Sequence, residues 1–183
     1  MADKDVIPTK LLWIDLEMTG LDSEKDLILE VGVEITDFAF KTLETYEACV
    51  RHPRDKVAER MQANIWWRDF PANRDDFLIK LEDGKLSGEV EQDLIGLVNK
   101  HFGDELAIIA GNSIHNDRLF IKKWWPTLDL KLHYRMLDVS SFKILMQGKY
   151  GQVFEKKDVH RAFDDIQASI AELDSYLDWF KKQ

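Results

Sequence analysis

One stretch constrains the fold of this chain more than any other: Leu11-Leu12-Trp13-Ile14-Asp15-Leu16-Glu17-Met18-Thr19-Gly20-Leu21. An apolar run delivers two carboxylates and then stops at Thr-Gly, the pattern of a buried strand with a charged tip. Strand geometry puts Asp15 and Glu17 on one face, with Cβ atoms roughly 6 to 7 Å apart, and Leu12, Ile14 and Leu16 on the other. Carboxylates held that close repel, so each resists ionising unless a cation or a proton compensates. A divalent metal is one compensation. On spacing alone the pair is also compatible with two solvated acids at a strand end, and the choice depends on what the rest of the chain supplies.

With 183 residues the chain has room for one domain with a sizeable core, expected to span residues 1–183. The charged start, Met1-Ala2-Asp3-Lys4-Asp5, leads into no apolar leader segment, and no run approaches the ~18 apolar residues of a membrane helix. Cys49 is the only cysteine, which excludes an internal disulfide and suits a cytoplasmic location. The net charge of -9 argues against wrapping a long nucleic acid by phosphate neutralisation. Charge is unevenly spread: residues 1–100 hold 13 Lys/Arg against 22 Asp/Glu, whereas residues 110–161 hold 10 against 5. An acidic body with a basic segment can accept a short anionic substrate while gaining little from a long one.

Turn residues Gly20-Leu21-Asp22-Ser23 separate the opening strand from a second over 27–36, and a third is expected over 42–50. Helices are predicted over 55–64, from Pro71 to Gly84, and over 87–102 with Ser87 as its cap. Leu106 to Ala110 reads as a strand buried on both faces, followed through Gly111-Asn112-Ser113 by a helix that ends at Pro126. A short strand over 134–139, a helix capped by Ser140, and a last helix over 160–180 complete the chain. A meander followed by alternating helix and strand predicts an α/β fold with a mixed sheet.

Two later places add acids. Asp117, in Ile114-His115-Asn116-Asp117, falls just past a strand's C-terminal end, where ligand sites of open α/β sheets gather; it also reads as an ordinary first-turn helix acid. In the last helix, Phe163, Ile166, Ile170, Leu173, Leu177 and Phe180 define an apolar stripe. At about 100° per residue, Asp165 lies on the flank of that stripe and Asp164 nearly opposite it, so Asp165 is the one aimed at a site on the core boundary. His160 belongs to the incoming loop or the first turn.

The order D-x-E, a later Asp, then H-x4-D resembles the DEDDh branch of the DnaQ-like 3'-5' exonucleases. The surrounding residues narrow the resemblance. Leu-Trp-Ile-Asp-Leu-Glu-Met-Thr-Gly-Leu-Asp, Gly-Asn-Ser-Ile-x-x-Asp-Arg, His-Tyr-Arg-x-Leu-Asp-Val-Ser and His-Arg-Ala-Phe-Asp-Asp-Ile are similar to the oligoribonucleases, over about Leu11 to Leu173. The resemblance implies an RNase H-like fold, a mixed five-stranded sheet flanked by helices. It implies two Mg2+ or Mn2+ ions on Asp15, Glu17, Asp117 and Asp165, with His160 as general base. It further implies a homodimer that removes 5'-nucleoside monophosphates from the 3' end of short single-stranded RNA, dinucleotides included. Leu21, Trp66, Ser113, Tyr134, Arg135 and Ser140 fall where the family holds its substrate, with Arg135 and the serines at the 5' phosphate and Tyr134 supplied by the second subunit.

The chain departs from the family pattern twice. His115-Asn116 stands where the family reads Gly-Gln or Ala-Gln, and the stacking tryptophan, expected in a Met-x-x-Trp context, comes later in Met61-Gln62-Ala63-Asn64-Ile65-Trp66-Trp67. Trp66 is the candidate, with Trp67 next. The alternative within the superfamily is an exonuclease that trims longer DNA or RNA 3' ends. Outside it, the alternative is a binding module that has lost catalysis.

Overall fold

β1 (Lys10–Met18) runs through the middle of a five-stranded sheet, in a computed structural model that describes residues 7–154 and 161–182. β2 (Ile28–Asp37) lies antiparallel to it, with Asp15 opposite Gly32 and Glu17 opposite Glu30, and β3 (Thr42–Cys49) forms the antiparallel edge. On the other side β4 (Ile109–Gly111) and β5 (Leu137–Asp138) run parallel, giving the order β3-β2-β1-β4-β5. This is the mixed α/β sheet that the strand pattern predicts.

The parity of β1 decides what lies on each side. Leu12, Ile14 and Leu16 enter a core with Val31, Val33 and Ile35, covered by α4 (Ser87–Phe102), α5 (His115–Trp124) and the short α6 (Pro126–Asp129). Leu11 and Trp13 face α7 (Val139–Tyr150) and α8 (Ala162–Lys181), where Val139, Ile166 and Leu173 close the second core. Trp13 satisfies its indole N–H on Thr36 Oγ1 at 2.9 Å. Asp15 and Glu17 share the parity of Leu11 and Trp13, so they emerge beneath α8. A third, smaller core joins Leu29 to α1 (Arg54–Ala63), α2 (Ile65–Asp69) and α3 (Pro71–Lys80) through Val57, Met61, Trp67 and Phe77. Among the described residues, no helix is long and apolar enough to cross a membrane.

Several local expectations change. The strand expected over 106–110 pairs with β1 only from Ile109, because Ala107 instead bridges to Leu132. The strand expected over 134–139 shortens to two residues, since residues 134–136 are exposed. Ser87 does not cap α4: its hydroxyl accepts the Trp125 indole N–H at 3.0 Å, while Glu89 reaches back to the Leu86 N–H at 2.8 Å. Nor does Ser140 cap α7, because Asp138 accepts the Ser140 N–H at 2.9 Å and starts the helix earlier. The apolar stripe of α8 is rotated towards Ala162, Ile166, Ser169, Leu173 and Tyr176, leaving Phe180 39% exposed. Two polar residues, Ser169 and Glu172, are thereby buried among apolar ones.

Candidate active site

β1 and α8 build the centre of the site. Asp15, Glu17 and Asp165 are each half-buried and each offers a carboxylate oxygen, the three lying within 4.8 Å of one another. Asp165 belongs to the first turn of α8, where the helix dipole favours negative charge, while Asp164 on the preceding position is exposed. Gly32 lets the helix come this close. A Cβ there would stand 2.9 Å from the Ala162 carbonyl carbon and the Phe163 nitrogen, inside van der Waals contact with α8. Glu30 fixes the start of the same helix, accepting the Ala162 N–H at 3.2 Å and pairing with Arg161 at 2.7 Å.

Asp117 approaches from the opposite side of β1. Because β4 ends at Gly111, the Leu16 N–H on that edge has no strand to pair with, and the Asp117 carboxylate accepts it at 2.9 Å. That bond ties α5 to the peptide between Asp15 and Glu17. Burial pushes the Asp117 carboxyl up to about 8, with Glu17 and Asp138 adding to the shift and the Leu16 N–H opposing it. A buried carboxyl beside further carboxylates is a site short of positive charge. Hard oxygen donors in this arrangement fit a divalent metal ion.

The tip of β1 is anchored on both sides. Asn64 donates to the Thr19 carbonyl at 3.1 Å and the Trp67 indole to the Met18 carbonyl at 3.2 Å. Trp67 is 2% exposed and packs edge-on against Phe77, which assigns it to the core. Its neighbour Trp66 is only half-buried and stacks on Phe70 with ring centroids 4.8 Å apart. Beyond the tip, Asp26 accepts from the Thr19 hydroxyl and the Asp22 N–H, so the turn holds Leu21 outward at 71% exposure.

The remaining candidates gather where β4, β5 and α7 meet. Ser113, at a positive φ of 51°, donates its N–H to Asp138 Oδ1 and Ser140 Oγ, both at 3.0 Å, and its hydroxyl lies 3.2 Å from that of Ser140. Arg135 is exposed with its guanidinium over the Tyr134 ring, whose residue is 64% exposed. His115 is exposed too, its Nδ1 3.9 Å from Asp138 Oδ2. His160 lies outside the described residues. The site reading from sequence passed over Asp138, Asn112 and Glu172. Asp138 was visible as an N-cap type two residues before Ser140, and Glu172 as an acid inside an apolar stripe.

Comparison with known proteins agrees with this architecture. The exonuclease family (RNase_T) matches residues 12–173. A probable oligoribonuclease from Caenorhabditis elegans is 39% identical over 175 residues, which cover 94% of this chain and 89% of the relative. The oligoribonuclease of Francisella tularensis subsp. novicida is 39% identical over 168 residues, or 91% and 93% of the two chains. The zinc-bound form of the E. coli exonuclease I complex with single-stranded DNA superposes with a TM-score of 0.64 at 11% identity, over 95% of this chain and 43% of that one. Exonuclease I from Methylocaldum szegediense gives 0.61 at 14% identity, over 90% and 39%. The chain thus spans about two-fifths of the length of these exonuclease I chains, and the likeness to them is one of fold, the RNase H-like fold. Matched from residue 12 to residue 173, and 39% identical to oligoribonucleases over most of both chains, the chain belongs to the exonuclease family, on its oligoribonuclease branch.

Proposed function

We propose that the chain is a 3'-5' exoribonuclease that degrades short single-stranded oligoribonucleotides, dinucleotides among them, to 5'-nucleoside monophosphates. One observation carries the chemistry: Asp15, Glu17 and Asp165 converge within 4.8 Å, with Asp117 buried against the peptide between the first two. On this reading Asp15, Glu17, Asp117 and Asp165 hold two Mg2+ or Mn2+ ions. Such ions, when bound, neutralise the scissile phosphate and lower the pKa of the attacking water. His160, five residues before Asp165, takes the proton of that water as general base near neutral pH. Leu21 and Trp66 flank the tip of β1 and pack on the bases. Ser113, Ser140 and Arg135 receive the 5' phosphate, the guanidinium being suited to bidentate contact.

A cap on the 5' phosphate limits substrate length, which fits a net charge of -9 that gains little from a long polyanion. The whole chain acts as one exonuclease domain in the cytoplasm. It works as a homodimer, with Tyr134 completing the partner's site. Leu119, Leu130, Met136, Ile144 and Leu145 are all large apolar side chains left exposed between residues 119 and 145, and a second copy would cover them.

Single-turnover cleavage of 5'-phosphorylated dinucleotides and of about 20-nucleotide RNAs tests the substrate class. Faster cleavage of the dinucleotides is expected. Equal or faster cleavage of the long RNAs would assign the site to longer 3' ends. Mn2+-dependent release of mononucleotides, lost in Asp15→Ala, separates an enzyme from a binding module.

A further inference from the structure

Asn112 and Glu172 have no part in the chemistry above, yet they are bonded to each other in the interior. Glu172 is fully buried on α8. Its Oε1 accepts the Tyr176 hydroxyl at 2.8 Å, its Oε2 accepts Asn112 Nδ2 at 3.2 Å, and Lys143 Nζ lies 3.7 Å away. Asn112 Nδ2 also donates to Ser169 Oγ at 2.8 Å, and Ser140 Oγ donates to Asn112 Oδ1 at 3.2 Å.

Donor and acceptor arithmetic fixes the direction of every bond in this chain. Ser169 has one hydroxyl proton, and it goes to the Asp165 carbonyl at 2.8 Å, so towards Asn112 Ser169 can only accept. The Glu172 carboxylate can only accept as well. Both therefore demand the amide NH2 of Asn112, which turns Oδ1 to Ser140. That oxygen takes the single hydroxyl proton of Ser140. The Ser140 oxygen is left as an acceptor, receiving the Ser113 N–H and, of the two hydroxyls, the Ser113 proton. Of the two hydroxyl protons, only that of Ser113 can leave its serine acceptor and turn to an arriving anion, because that of Ser140 is committed to the Asn112 amide oxygen.

We infer that Glu172 and Asn112 are positioning residues, a buried relay on α8 and the β4–α5 turn that fixes the hydrogen-bond polarity of Ser140 and so holds the Ser113 hydroxyl as donor to the substrate's 5' phosphate. This rests on the reading that the two serines face that phosphate. A carboxylate is costly to bury, and here it is offset by Tyr176, Asn112 and Lys143. An apolar residue in its place would leave the Asn112 NH2 held by Ser169 Oγ alone, loosening the amide so that the Ser140 proton can compete for the same anion.

The test compares a dinucleotide carrying a 5' phosphate with the same dinucleotide ending in a 5' hydroxyl, using the full chain. In Glu172→Met, KM for the phosphorylated substrate should rise about tenfold, while KM for the hydroxyl form and both kcat values stay within about twofold. Glu172→Gln should restore most of the loss, since glutamine can present its oxygen to Asn112 and its NH2 to the Tyr176 hydroxyl. Should Glu172→Met fail to fold, Asn112→Ala is expected to reproduce the same selective loss. Wild-type discrimination retained in the folded variants, or an equal rise in both KM values, would overturn the relay and leave the phosphate reading standing. Absence of any phosphate preference in the unmodified protein would overturn both.

Discussion

Asp165 and Asp164 occupy consecutive positions on one helical turn, and only Asp165 brings a carboxylate within 4.8 Å of Asp15 and Glu17. The 100° step between them was legible in sequence, because it needs only the direction of the apolar stripe. Asp165→Ala is expected to lower mononucleotide release by about 10²-fold or more, and Asp164→Ala by no more than about threefold. A reversal of that order would move the site to the other face of α8. His52 is a different kind of residue, invisible as a functional signal. It bonds the Ile28 carbonyl at 2.7 Å, and burial, with Lys56 nearby, holds its pKa below the ordinary 6.5. A depressed folded-state value means that the unfolded chain binds the proton more tightly. The stability contributed is therefore intact above pH 6.5 and is lost as pH falls from there through the folded value. Thermal unfolding should show a decline as pH falls below 6.5 that is shallower in His52→Gln, and an unchanged slope would acquit His52.

Between elements, close approach sets the site. Gly32 faces the α8 backbone, with 2.9 Å to a would-be Cβ, so Gly32→Ala must push α8 away from β2 or bend it. A destabilisation of about 1–3 kcal/mol is expected in denaturant unfolding, and kcat should fall with it because Asp165 moves with the helix. A stability loss with unchanged kcat would show that α8 absorbs the methyl elsewhere. The paired tryptophans divide their work in the same way. Trp67 fills the third core and bonds Met18, whereas Trp66 stands half-exposed on Phe70. Trp67→Ala should cost about 3–5 kcal/mol of stability, and Trp66→Ala should instead raise KM with a small stability loss. At this scale the sequence named helix starts but assigned the wrong caps. Ser87 and Ser140 are good cap types by local rules, yet their hydroxyls are recruited by Trp125 and by Asn112, residues 38 and 28 positions away.

For the molecule as a whole, the exposed apolar side chains between residues 119 and 145 bear on assembly. Sedimentation equilibrium at micromolar concentration should give a dimer, and Ile144→Glu together with Leu130→Glu should give a folded monomer with much weaker dinucleotide cleavage; a monomeric unmodified chain would remove Tyr134 from the partner's site. The sequence by itself determined the parity of β1 and which of Asp164 and Asp165 flanks the core, because each follows from period-2 or period-3.6 geometry acting on neighbours in the chain; the order of the acids took its meaning from the family resemblance. Tertiary structure alone decided that Asp117 takes the Leu16 N–H, that Gly32 admits α8, and that Glu172 lies buried against Asn112. Those contacts join residues 101, 130 and 60 positions apart, and no local periodicity records which strand ends early or which polar atom will be left needing a partner when the layers close.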